Sequence, residues 1–240
     1  MKNPNMLRFL VVAGLVILAY IPTFDWMIGR WTATDTYYSH GFLVPFVSLF
    51  VAWLKRKQLA ALPVKPVQWG WLVLGVGVFT FLLSALWRVY FSSGLSLILV
   101  IVGLILLFFG VKHLRALWFP IAFLLFMIPA PMVVVANVSF KLKIFASQVS
   151  TAIVNMLGVP AMREGSIIKT LHSYVVVEDP CSGIRSLIAL IALGALMAYF
   201  SRMSNVRKNI LFLASSPWAV ATNIIRIVAV TLASEMYGTK

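Results

Sequence analysis

Charged side chains are scarce in this chain, and acidic ones are the scarcest. Of its 240 residues 11% are charged and only 6 are Asp or Glu, whereas 62% are hydrophobic. A soluble domain is roughly a quarter charged and about half apolar. The composition therefore excludes an ordinary soluble domain and predicts an integral membrane protein whose main solvent is the bilayer.

Cysteine and histidine are nearly absent. A lone cysteine, Cys181, excludes an internal disulfide framework. The three histidines are scattered without metal-ligand spacing, so we expect neither a metal nor another cofactor. The net charge of +14 would suggest nucleic acid in a soluble protein, but in so apolar a chain it indicates membrane topology, and no nucleic-acid partner is expected.

Long apolar runs predict an all-α, multi-pass transmembrane helical bundle of about seven spans, because a spanning helix needs about 20 mostly apolar residues. The bundle is expected to form a single domain over residues 1–240. The predicted spans are Met6–Phe24, Gly41–Leu54, Trp69–Trp87, Val89–Gly110, Ala116–Val135, Ser182–Phe200 and Asn209–Met236. The second is short and is expected to extend back through Tyr37, and Pro217 is expected to kink the last.

The basic residues predict the orientation of the bundle. Under the positive-inside rule the N-terminus lies in the cytoplasm, and all 6 acidic residues fall outside or at outer helix ends. The basic residues on the predicted cytoplasmic side are Lys2, Arg8, Lys55, Arg56, Lys57, Lys65, Lys112, Arg115, Arg202, Arg207 and Lys208.

One predicted outer segment, residues 136–180, is long enough to carry structure of its own. Apolar residues recur at helical spacing over Ser139–Leu157, which predicts a small amphipathic helix on the extracytoplasmic interface. The β-branched and aromatic residues of Val159–Val177, bounded by turn signals, predict a short hairpin. That hairpin leads to Cys181 at the start of the sixth span.

Cys181 lies where a helix is predicted to begin. Asp179 is a candidate N-cap with Pro180 at the first helical position, and Ser182 is a rival cap. A helix N-terminus favours a thiolate, and Arg185 one turn further on favours it too. A small, buried cysteine without a chemical role is the alternative interpretation.

Neighbouring residues modify this interpretation. Glu178 and Asp179 oppose a thiolate, and Gly183 permits another backbone or a substrate strand to approach closely. Arg185 has two candidate roles that stay open: it pairs with one of those carboxylates, or it joins Arg226 around an oxyanion.

Arg226 is a charged residue within the last predicted span, where charge is costly and marks a functional position by default. It follows Lys208 by 18 residues, which is about 27 Å of helix and reaches the outer boundary of the bilayer. Asn223 precedes it by three residues on the same face. Snorkelling of Arg226 to headgroups is the alternative.

A thiol, a guanidinium and an amide at one depth suit acyl transfer on an extracytoplasmic peptide. The thiolate attacks a carbonyl, and the arginine and amide stabilise the oxyanion. Such chemistry also needs a general acid, usually histidine. His40 is a candidate for that role or for substrate positioning, His172 is more typical of a solvated strand residue, and His113 lies on the wrong side.

The chain resembles the exosortase/archaeosortase family of multi-pass bacterial membrane transpeptidases, and the resemblance covers nearly its whole length. Cys181-Ser-Gly-Ile-Arg185 and Asn223-Ile-Ile-Arg-Ile227 are the more specific parts. The other matching motifs, in the family's order, are Tyr38-Ser-His-Gly41, Ile128-Pro-Ala-Pro131 and Gly158-Val-Pro160.

The resemblance implies a cysteine protease or transpeptidase of the bacterial cytoplasmic membrane, with its active site on the periplasmic side. Cys181 would be the nucleophile, forming a thioester, and Arg226 the catalytic arginine. The partners would be exported proteins with a C-terminal sorting tail of the PEP-CTERM type, in systems that make exopolysaccharide and biofilm. The alternative is a non-catalytic transporter or scaffold of a polysaccharide export system, although a transporter would be expected to place polar residues near the bilayer midplane.

The family pattern has a histidine shortly after the arginine span, whereas no histidine follows His172 here. We expect the chain to be a fragment that lacks a last span and this histidine, with an inactive relative or a substitute histidine as the alternatives. An open reading frame that encodes a histidine within about 20 codons of Lys240, one span's length, would support the fragment. A stop codon there would favour a catalytic His40 and make His40→Ala the next variant to assay.

Overall fold

The computed structural model describes residues 4–34, 36–177 and 183–238. The chain divides into two compact units, Met1–Pro129 and Ala130–Lys240. The helices of the first unit are α1 (Pro4–Ala19), α2 (Ile21–Thr32), α3 (Leu43–Leu54), α4 (Arg56–Ala61), α5 (Trp69–Trp87), α6 (Tyr90–Phe108) and α7 (Val111–Phe123), with 3-10 turns at Ser39–Phe42 and Leu124–Met127. The second unit contains α8 (Met132–Met156), β1 (Met162–Glu164), β2 (Ile167–Lys169), β3 (Tyr174–Val176), α9 (Ile184–Phe200) and α10 (Asn205–Tyr237).

α5 and α6 form a close antiparallel hairpin in the first unit. Their apolar runs are each 19 residues long, and Arg88 turns the chain between them in the left-handed conformation, with φ of 54°. Glycines let the two backbones approach, since a Cβ on Gly103 would lie 2.7 Å from the Leu74 nitrogen. These two helices confirm the third and fourth predicted spans.

The first predicted span, Met6–Phe24, is bent in the structure. α1 and α2 meet at Tyr20 with an angle of 58° between them. Two buried hydroxyl pairs join this bend to α6: Tyr20 to Ser96 at 2.7 Å, and Thr23 to Ser93 at 2.6 Å. Pairing of this kind is needed because an unsatisfied polar group in an apolar interior is costly.

The expectation of about seven long spans is not confirmed. Among the described residues four helices are long and apolar enough to cross a membrane, or five if the bent α1–α2 pair counts as one span. The helical stretch Ser39–Leu54 and α9 are apolar but shorter. Ser39–Leu54 also begins after Tyr37, the predicted start. Many large apolar side chains are nevertheless exposed on these helices, as expected of a protein whose surface meets lipid.

The predicted span Ala116–Val135 is wrong as a single helix. α7 ends at Phe123, a 3-10 turn follows, and α8 begins only at Met132. Pro129 and Pro131 account for the break, because proline has no backbone N–H to donate and disfavours a helical residue before it. The predicted amphipathic helix Ser139–Leu157 consequently forms the larger part of α8.

The second unit is built around a small three-stranded sheet rather than the single hairpin that was predicted. β1 pairs antiparallel with β2, and β2 with β3, so that Ile168 lies opposite both Arg163 and Val175. One face of the sheet packs on α8 and α10. The residues of this shared core are Ala146, Val154, Ile168, Val177, Ile224, Ile227 and Val228.

α10 is the longest described helix, with 33 residues, and contains the predicted span Asn209–Met236. Pro217 lies inside it without ending it. α9 packs along α10, and a Cβ on Gly194 of α9 would lie 2.8 Å from the Ser215 side chain. The sheet and α9 therefore contact the same long helix.

We predict that Gly103→Ala destabilises the protein whereas Gly75→Ala does not. The new methyl group at Gly103 would collide with the Leu74 backbone, and overpacking of this kind costs about 1–3 kcal/mol. Gly75 has nothing within 4 Å, and alanine is the better helix former there by about 1 kcal/mol. Unfolding of the two purified variants in detergent measures the difference; equal stability would contradict the close helix contact.

Candidate active site

Gly183 and Asn223 are the point where α9 meets α10 near the predicted nucleophile. Gly183 caps α9 with φ of +80°, and a Cβ on it would lie 2.8 Å from both Cγ and Nδ2 of Asn223. A close approach therefore exists at Gly183, but the approaching group is the Asn223 side chain and not the backbone or substrate strand that was predicted. The predictions of Asp179 or Ser182 as N-cap are wrong, because α9 begins only at Ile184.

Cys181 and Ser182 lie outside the described residues, as do Glu178 and Asp179. The two residues that flank this five-residue segment are both well fixed against α10. Val177 is 1% exposed and packs in the core with Ile224, Ile227 and Val228, while Gly183 packs on Asn223. The two described residues that border residues 178–182 therefore lie beside neighbouring turns of α10. We call residues 178–182 the Cys181 segment.

Arg226 and Asn223 differ in exposure although they are three residues apart. Asn223 is 7% exposed and belongs to the buried stripe of α10, whereas Arg226 is exposed. No carboxylate of the described ranges forms an ion pair with the Arg226 guanidinium. The two side chains of the predicted common face thus differ in their surroundings. The Asn223 amide packs inward, whereas the Arg226 guanidinium is accessible to a ligand, a headgroup or the Cys181 segment.

Arg185 occupies the first turn of α9 and is half-buried. Its Nε is buried and has no hydrogen-bond partner in the described part of the chain. A buried donor without a partner is costly, which indicates that a group outside those residues completes its environment. Both predicted roles of Arg185, pairing with Glu178 or Asp179 and joining Arg226, remain predictions.

The three histidines lie in different surroundings. His40 belongs to the 3-10 turn Ser39–Phe42 of the first unit, 6.0 Å from the Tyr38 ring. Both of its ring nitrogens are buried, and neither has a hydrogen-bond partner within the part of the chain that the structure describes. His113 is buried in α7. Over the described ranges, no group of three His, Cys, Asp or Glu residues is arranged to hold a metal ion.

His172 is solvent-exposed, as the sequence predicted, but it lies in the turn between β2 and β3 and its ring has a partner. Its ring is 73% exposed, but Nδ1 lies 2.7 Å from Oε1 of Glu235 near the end of α10. Sequence reasoning missed this pair because 63 residues separate its members and no local pattern connects them. Glu235 lies nine residues beyond Arg226, about 13 Å along the helix, so His172 does not share the depth of the arginine.

These features are typical of a multi-pass, largely helical membrane protein. Its small sheet and two packed helices hold the residues on either side of the Cys181 segment. The chain belongs to the transmembrane exosortase family, whose sequence model matches residues 31–240. Neither curated proteins nor solved structures provide a match to the chain.

Gly183→Ala is predicted to be more damaging than Gly165→Ala. Both glycines have positive φ, +80° and +63°, so both substitutions incur a left-handed backbone cost of roughly 1–2 kcal/mol. Only at Gly183 does the methyl group also displace Asn223, since Gly165 has nothing within 4 Å. Denaturant unfolding of both variants in detergent tests the contact, and a Gly165→Ala loss as large as that of Gly183→Ala would argue against it.

Proposed function

We propose that this protein is a membrane-embedded cysteine protease/transpeptidase that cleaves the C-terminal sorting tails of exported proteins through a thioester acyl-enzyme. The observation that carries the proposal is the attachment of both flanks of the Cys181 segment to the Asn223–Val228 stretch of α10. Family membership supports the reaction class.

Chain connectivity alone keeps Cys181 close to Asn223. Cys181 precedes Gly183 by two residues, so their Cα atoms are at most about 7 Å apart whatever path the chain takes. Asn223 is in contact with Gly183, and Arg226 lies one turn further, about 4.5 Å along the axis. A thiol, an amide and a guanidinium are therefore within side-chain reach of one substrate carbonyl.

The packing of the sheet supports a position for this site at the membrane boundary. α10 has 33 residues and is about 50 Å long, whereas the hydrocarbon core is about 30 Å thick. The sheet packs on the last third of α10 and carries Arg163, Glu164 and Lys169. An open sheet edge is not tolerated in lipid, so the hydrocarbon ends near Asn223 and Arg226.

The same argument favours an interfacial position for the second half of α8. Residues from Ala146 to Val154 pack on the sheet, which leaves too few residues before them for a span of about 20. Although α8 is one of the four helices long and apolar enough to cross a membrane, we therefore propose that its residues from Ser139 onward lie at the extracytoplasmic interface. The basic residues in the loops predicted on the other side of the bilayer support this orientation.

The proposed chemistry begins with the Cys181 thiolate, which the N-terminal end of α9 favours. Its sulfur forms a bond to the scissile carbonyl carbon, and the carbonyl electron pair moves to oxygen, where Arg226 and Asn223 stabilise it. Collapse of this intermediate breaks the C–N bond, and the leaving amine takes a proton from a general acid. Water or an amine then attacks the thioester and releases Cys181.

The substrate class is the one that the resemblance to exosortases implies, and the proposed position of the site suits it. A translocated protein still held by a C-terminal membrane helix would present the bond preceding that helix at the membrane boundary, where we propose that Cys181 acts. We assign the protein to a bacterial cytoplasmic membrane, with exported proteins of the PEP-CTERM type as substrates in exopolysaccharide and biofilm systems.

We predict that Cys181→Ala abolishes tail processing and that Arg226→Ala lowers kcat about 10²–10³-fold, the usual cost of one oxyanion donor. The measurement is cleavage, in membranes that contain the variant, of an exported test protein with an acidic motif, an apolar helix and a basic C-terminus. Insertion is followed separately by membrane extraction.

Arg207→Ala is the matched control, because it removes an exposed arginine from the first turn of the same helix. It should process the tail at the wild-type rate. Normal processing by either Cys181→Ala or Arg226→Ala would refute the enzyme. Function that survives complete alkylation of Cys181 would favour the non-catalytic scaffold or transporter.

A further inference from the structure

Glu235, near the C-terminal end of α10, holds the turn between β2 and β3. Its Oε1 lies 2.7 Å from Nδ1 of His172, and its Oε2 accepts the backbone N–H of His172 at 3.2 Å. One carboxylate thus binds both the ring and the backbone N–H of His172 in this turn.

The turn also has hydrogen bonds of its own. The Thr170 N–H and hydroxyl both donate to the Ser173 carbonyl at 2.9 Å, and the hydroxyls of Thr170 and Ser173 lie 2.8 Å apart. The turn therefore keeps a defined shape, and Glu235 connects it to α10.

The strand that follows this turn leads directly into the Cys181 segment. β3 ends at Val176, and the next residue, Val177, is fixed in the core against Ile224, Ile227 and Val228. From Ser173 to Val177 the chain advances four residues, about 13 Å in extended form. From Ile227 to Glu235 α10 advances eight residues, about 12 Å. β3 is therefore attached to α10 at both ends over matching lengths.

We infer that Glu235 is a positioning residue for the nucleophile: its contact with the Thr170–Ser173 turn sets where β3 lies along α10, and thereby where the Cys181 segment begins. This inference rests on the proposed role of Cys181. Release of the turn leaves Val177 as the remaining described attachment of β3 to the core, so we expect a change in the accessibility of Cys181.

The sheet offers a matched control for this contact. Lys169 and Glu164 form another 2.7 Å ion pair, 49% and 56% exposed. That pair joins β1 to β2 and leaves β3 out. Glu164→Ala therefore removes a carboxylate from the same sheet without releasing the turn from α10.

The first experiment measures the rate at which a maleimide alkylates Cys181 in native membranes, a readout that needs no catalytic activity. We expect Glu235→Ala to increase this rate several-fold, because a released segment is more accessible, and Glu164→Ala to leave it unchanged. Tail processing should show a lower kcat with an unchanged KM, since the substrate still binds but the nucleophile is misplaced.

Two substitutions of His172 provide the rescue test. His172→Asn keeps an N–H donor near the position of Nδ1 and should behave like the wild type, whereas His172→Leu should shift the alkylation rate in the same direction as Glu235→Ala. Because His172 is exposed, these variants remain informative if Glu235→Ala fails to insert.

The inference is overturned if Glu235→Ala has the same Cys181 alkylation rate and the same tail-processing rate as Glu164→Ala. It is also overturned if His172→Leu and His172→Asn have equal alkylation rates. If the alkylation rates shift as expected but the wild type cleaves no tail, the proposed function fails and the positioning contact stands. If the wild type cleaves tails and none of these variants differs from it, only the positioning contact fails.

Discussion

An open sheet edge has backbone N–H and C=O groups that lipid cannot hydrogen-bond, so the edge cannot lie in the hydrocarbon. The proposed site depends on this constraint. The three-stranded sheet packs on α8 and α10 through a core that includes Ile168 and Ile227, and we therefore propose that the end of α10 beyond about Ile224 lies outside the hydrocarbon. The proposed boundary would account for an arginine at the twenty-second position of a helix of 33 residues. At the membrane centre Arg226 would be costly, whereas at the proposed boundary it would meet water and a substrate chain.

Glycine at two levels of α9 makes the geometry of the site possible. Gly194 lies against Ser215, and Gly183 lies against Asn223, so the two helices run close together up to the point where α9 begins. A larger residue at Gly183 would collide with the Asn223 side chain, close in the sequence to the proposed nucleophile. Gly183 has a positive φ at the N-cap of α9, a conformation that glycine adopts at little cost.

The sequence predicted local elements well and distant pairings poorly. α5 and α6 were predicted to within two residues because uninterrupted apolar runs of bilayer length have one plausible structure. Ala116–Val135 failed because hydropathy does not register the missing donors of Pro129 and Pro131. Asn223 and Gly183 were singled out individually, but their contact depends on helix packing. The Glu235–His172 pair joins the turn between β2 and β3 to the end of α10 across 63 residues, and no spacing rule connects them.

The two arginines have different surroundings, and the difference bears on their proposed roles. Arg185 is half-buried, and its buried Nε has no hydrogen-bond partner among the described residues. Glu178 and Asp179 are the acidic residues nearest to it in the sequence. A guanidinium already neutralised by a carboxylate stabilises developing charge less in the transition state, because its interaction is already made in the ground state. Arg226 is exposed, and no described carboxylate forms an ion pair with it. These surroundings favour Arg226 for the proposed oxyanion role, while both predicted roles of Arg185 stay predictions.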